Sequence, residues 1–172
     1  MSDTDPVSIL LGLAQIAAAF AGFAALVSVL RERGEHAEAI HDILRLRVVI
    51  STSVLVIAAS LVPIALLQFG IDGYWLWAGS GVLMFLMNLG IVFSFMGSYK
   101  PVQGQFDPDS LAVGVTGAME LAEWGLLATL ILNLMPDERF PLYLTALIIN
   151  IGQAAFVFIR YVGSEFRVSH PG

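Results

Sequence analysis

Two carboxylates stand out as groups able to do chemistry. Glu120 and Glu123 lie three residues apart, which places them on one face of a helix, with Trp124 beside them. Their setting is unusual. They sit near the middle of residues 111–135, LAVGVTGAMELAEWGLLATLILNLM, and no other long apolar stretch in the chain contains an acid. An ionisable side chain at membrane depth is costly and marks a functional position by default. Paired acids can hold a proton or a cation, or divide acid and base roles when their surroundings differ. The other polar groups inside apolar stretches are amides: Gln15, Asn88, Asn150 and Gln153. Asn150 and Gln153 repeat the three-residue spacing. If the two faces meet, they form one interior patch of two acids and several amides, a candidate path for a proton or cation.

The elements that position these residues follow from composition. Of 172 residues, 58% are hydrophobic and 13% charged, far from the roughly one-quarter charged of a soluble domain. The chain reads as an all-α membrane protein, one domain over 1–172, with spans at about 7–30, 48–69, 74–98, 111–135 and 142–161 and a charge-balanced cytoplasmic loop at 31–47 whose part from His36 is expected to be helical and to run into the second span. Pro6 fits a helix start, where its missing N–H has no partner to lose. Pro63 falls inside the second span and frees a backbone carbonyl. The segment 70–73, Gly-Ile-Asp-Gly, is a tight turn between antiparallel spans. Tyr74, Trp75 and Trp77 form the aromatic cluster expected at a membrane–water interface.

Small residues recur at helical spacing. Ala14, Ala18 and Gly22 form one row, and Gly114, Ala118 and Ala122 another. Such rows let helices approach closely in lipid, so they are expected to serve helix packing or an oligomer interface. The run through Leu13, Gln15, Ala17, Phe20, Gly22 and Phe23 resembles the first helix of small bacterial multi-pass membrane proteins. That resemblance covers about a tenth of the chain, implies a location in the bacterial inner membrane, and carries no activity or site residue with it.

Charge distribution orients the bundle. With five spans and the N-terminus outside, Arg31, Arg33, Arg45, Arg47, Lys100, Arg160 and Arg167 share the cytoplasmic side with the C-terminus, leaving Arg139 alone outside. If 111–135 is instead a re-entrant or interfacial helix in a four-span bundle, Lys100 also falls outside. The excess of Lys and Arg on cytoplasmic loops favours five spans by one charge. Insertion energy makes the fourth span marginal: its ten Leu, Ile and Val residues contribute roughly 3–6 kcal/mol, and two central ionised acids cost about 5–7 kcal/mol. Either polar neighbours, protonation or a wet cavity offsets that cost, or the spanning helix starts later, near Met119, and leaves both acids at the cytoplasmic interface.

Several classes are disfavoured. The net charge of −6 and the lack of a basic face argue against nucleic acid. The chain has no cysteine, hence no thiolate metal site. His36 and His41 are five apart and do not share a helix face, so no metal site or cofactor is expected. No span contains histidine and no serine has a base within reach, so an enzyme is not expected. The sequence supports a small channel or transport protein for a proton or cation, acting as a homo-oligomer in the lipid bilayer. The alternative is a non-transporting structural or partner-binding membrane subunit whose acids serve helix packing.

Overall fold

A computed structural model describes residues 5–30, 37–100 and 110–168, and the side chains of 5–29, 44–100 and 110–162. The structure described is helical throughout: α1 (Pro6–Leu30), α2 (Ala37–Gln68), α3 (Gly73–Tyr99), α4 (Ser110–Ile131), a single 3-10 turn (Pro136–Glu138) and α5 (Arg139–Val168). Five segments are long and apolar enough to cross a membrane: Pro6–Val29, Leu44–Gln68, Gly73–Tyr99, Ser110–Ile131 and Pro136–Val162. The fourth qualifies by length and composition despite its acids.

The helices run alternately up and down. Tyr74 at the start of α3 donates to the Ile131 carbonyl at the end of α4 (2.9 Å), while Arg47 near the start of α2 reaches Ser94 and Ser98 near the end of α3. α2, α3, α4 and α5 close a four-helix ring, and α1 packs outside it against α2 and α5. The core is layered along the bundle axis. One cluster joins Leu10, Leu55, Met84, Leu130 and Tyr143; a second, at the other end, joins Ala24, Val49 and Ala154.

The sequence explains how each helix starts, packs and stops. The Asp5 carboxylate accepts the Val7 N–H at 3.1 Å, satisfying one of the donors a helix start leaves free. Leu10, Ala17 and Ala24, buried and seven apart, form the packed seam of α1, the spacing of a heptad contact. α2 ends with Gly70 at φ +75°; Ile71 N–H bonds the Leu66 carbonyl and Gly70 N–H the Leu67 carbonyl. This is the Schellman closure that a left-handed residue permits. α4 ends the same way with Asn133 at φ +54°, Leu134 N–H bonding the Thr129 carbonyl and Asn133 N–H that of Leu130.

Several sequence boundaries shift. The fourth helix stops at Ile131 rather than 135, because Asn133 takes the left-handed conformation and closes it. The last helical span begins earlier than 142, through the 3-10 turn at Pro136. The stretch expected to run helically into the second span does so from Ala37, where α2 starts, while 31–36, with Arg31 and Arg33, lies outside the described residues. So do the polar segment 101–109 and the side chains of His41 and Arg167.

Pro63 stays within a continuous α2. Its ring nitrogen has no proton for the carbonyl four residues earlier, that of Ala59. The Tyr143 hydroxyl of α5 donates to this oxygen at 2.7 Å, and Tyr143 is fully buried. Trp77 and Phe140 pack with Tyr143 in one aromatic group. Trp75, by contrast, points outward.

Candidate functional site: a buried acid–amide cluster

Glu120 and Glu123 project from α4 into the interior, where α3 and α5 each supply amides. Glu123 is 0% exposed, Asn150 2%, Asn88 4% and Gln153 8%. Each of these residues stands near the centre of its apolar segment, so the cluster occupies the middle of the bundle. The Asn88 amide of α3 donates to Glu123 Oε1 at 2.8 Å. Gln153 of α5 donates to Glu120 Oε2 at 3.0 Å and to the Thr116 carbonyl at 3.3 Å. Asn150 also faces Glu123 and donates to the Ala146 carbonyl at 3.3 Å.

Each carboxyl is therefore half satisfied. Glu123 Oε2 and Glu120 Oε1 are buried atoms with no hydrogen-bond partner, and so is Trp124 Nε1. The groups that face Glu123 are Asn88, Asn150 and the second carboxyl, Glu120; none of them is a cation. A buried carboxylate without a cation is strongly disfavoured. The site is thus chemically incomplete in its charged form. It suits a species that brings positive charge to bare carboxylate oxygens. The amides present N–H groups rather than oxygens to the acids, an arrangement that fits a proton on each free oxygen better than a coordinated metal ion. Among the described residues, no group of three or more His, Cys, Asp or Glu could hold a metal.

Close helix approach makes the cluster possible. A Cβ on Gly81 of α3 would lie 3.0 Å from Leu130 Cδ2 of α4, and one on Gly152 of α5 would lie 3.1 Å from Met119 Cε of α4. These two glycines bring α3 and α5 against α4 on either side of the acids. Trp124 closes the flank, edge-on to Phe85 with centroids 5.8 Å apart.

Five of the six polar residues singled out in the sequence meet here: Asn88, Glu120, Glu123, Asn150 and Gln153. Gln15 does not. It is exposed on α1, which lies outside the four-helix ring. The two small rows also face away from the interior: Ala18, Gly22, Gly114, Ala118 and Ala122 are exposed and Ala14 is half-buried, with open space beside Gly22 and Gly114. The glycines that do mediate close packing, Gly81 and Gly152, were not legible as such, because each acts alone rather than in a row.

The described ends of the bundle differ in charge. Arg45, Arg47, Lys100 and Arg160 lie towards one end, and Asp72, Asp137, Glu138 and Arg139 towards the other. Comparison with protein-family models, curated proteins and solved structures gives no match.

Proposed function

We propose that this chain is a small membrane transport protein or channel that passes protons through Glu120 and Glu123. One observation carries the reading: two carboxyls share the centre of the bundle, each with one oxygen bonded to an amide and the other buried without a partner. A proton completes such a group by turning the free oxygen into a hydroxyl and removing the buried charge. Asn88, Asn150 and Gln153 hold the acids in place and can donate to whichever form is present. The basic end, with Arg45, Arg47 and Lys100, faces the cytoplasm by the positive-inside rule. On this reading the N-terminus lies outside and the C-terminus inside, and the membrane is the inner membrane of a bacterium. The outward rows Ala14, Ala18, Gly22 and Gly114, Ala118, Ala122 are surfaces on which further copies could pack.

The test is proton flux into liposomes carrying the purified protein. Glu123→Gln keeps the shape and the Asn88 contact but cannot cycle a proton, and is expected to abolish flux with the fold intact. Glu120→Gln is expected to reduce it at least tenfold. Wild-type flux in both variants would reject the reading. A second reading rests on the same bonds seen differently: Asn88–Glu123 and Gln153–Glu120 tie α4 to α3 and α5, so the acids would be structural ties in a non-transporting or partner-binding subunit. That reading is favoured if the wild type carries no flux and both Gln variants lower thermal stability.

A further inference from the structure

A groove opens on the outer surface between α2 and α3, away from the acid cluster. It has a volume of about 460 Å³, within the ~300–1,000 Å³ range of ligand-sized clefts. α2 and α3 are joined by the tight turn at Gly70, and the groove lies towards their other end, the basic end of the bundle. Its lining is graded. Near the end, Arg47, Ser51, Ser94 and Ser98 supply polar groups; deeper in, Val54, Leu55, Met87 and Ile91 supply apolar walls. Gly90 lies between the two α3 walls, and a Cβ there would meet no atom within 4 Å. The glycine leaves the trough open.

The polar end is built around one cation. Arg47 Nη1 and Nη2 donate to Ser98 Oγ at 3.1 Å and Ser94 Oγ at 3.0 Å. Among the described residues its hydrogen-bond partners are these two neutral hydroxyls, and Arg47 remains exposed. Two neutral acceptors hold the guanidinium in position without neutralising its charge. A planar guanidinium is the side chain best shaped to bind phosphate oxygens; the Ser98 hydroxyl donates to the Ser94 carbonyl at 3.0 Å, and the Ser94 hydroxyl adds a donor beside the guanidinium.

The dimensions select the occupant. From Ser98 to Met87 the α3 wall runs about 16 Å at ~1.5 Å per residue. One leaflet of hydrocarbon is about 15 Å deep, half of a ~30 Å core. The trough begins at the last turn of α3 and at the start of the apolar segment of α2 and ends near mid-bundle, open sideways. It therefore matches one acyl chain of one leaflet, with a phosphate at Arg47. We infer that the α2–α3 groove binds a single anionic phospholipid, its headgroup phosphate on Arg47 and Ser94 and one acyl chain over Gly90.

The inference is independent of proton transport and is tested on the intact protein in bilayer discs of mixed phosphatidylglycerol and phosphatidylcholine. Native mass spectrometry of the released protein counts retained lipids of each class. The wild type is expected to retain phosphatidylglycerol about fivefold over its share in the disc, the scale of one basic residue's pull on an anionic lipid. Arg47→Gln is expected to remove that preference. Gly90→Leu, which fills the trough and leaves Arg47 in place, is expected to lower retention of both lipids. Equal retention of the two lipids by the wild type would overturn the inference, as would an undiminished preference in Arg47→Gln. If Arg47→Gln proves too unstable to purify, undiminished lipid retention by Gly90→Leu overturns it alone.

Discussion

Tyr143 shows how a single residue can answer a defect made far away in the chain. Pro63 strips the Ala59 carbonyl of its helical donor, and the Tyr143 hydroxyl replaces it at 2.7 Å. Removing that hydroxyl leaves a buried oxygen bare, so Tyr143→Phe is expected to destabilise the protein by ~1–2 kcal/mol. Combined with Pro63→Ala, which restores the helix's own N–H, the same substitution is expected to cost under about 0.5 kcal/mol, because the interaction it removes is no longer needed. Reversible unfolding in mixed micelles measures both. The proline and its freed carbonyl were legible in the sequence; the tyrosine that bonds it was not, because nothing local connects residues 84 positions apart. The acid–amide cluster was more legible. Glu120, Glu123, Asn150 and Gln153 announce themselves as polar residues in apolar helices, and the three-residue spacing pairs them. Gln15 carries the same signature without joining the cluster, since spacing says which face a residue occupies and not what that face meets.

At the scale of the elements, helix ends were harder to read than helix existence. The five apolar stretches were plain in composition. The stop of α4 was not, because Leu132, Leu134 and Met135 continue its apolar character past the true end. The end is set by one residue, Asn133, whose φ of +54° lies where asparagine and glycine are tolerated and β-branched residues are not. Asn133→Gly is expected to be neutral to within about 0.5 kcal/mol, whereas Asn133→Val is expected to cost ~1–2 kcal/mol, read as a lower melting temperature. The small rows teach a related lesson. Ala18, Gly22, Gly114, Ala118 and Ala122 have the spacing of packing surfaces yet face outward, and α1 instead packs through Leu10, Ala17 and Ala24. The spacing of a small row shows that a helix has a narrow face, not where its neighbours lie.

At the scale of the whole molecule, an odd number of alternating helices puts Pro6, where α1 starts, and Val168, where α5 stops, at opposite ends of the bundle. The chain has no native cysteine, so single-cysteine labelling can map those faces directly. Asp72→Cys and Asp137→Cys are expected to react with an impermeant reagent from one side of a sealed vesicle, and Lys100→Cys only from the other; reaction of all three from the same side would contradict the five-span arrangement. The bundle is also unevenly covered. Only 11% of the apolar window of α4 is buried, against 44% for α2, yet α4 carries both acids. Nearly all of its cover is on the side where Asn88 and Gln153 wait. That imbalance bears on biosynthesis. As the chain emerges from the ribosome, α4 meets Asn88, already made, but neither Asn150 nor Gln153, and its insertion energy alone is near zero. The fourth helix should thus commit to the bilayer only once α5 has been synthesised, the two entering as a hairpin, so the last stretch translated decides the topology of the one before it.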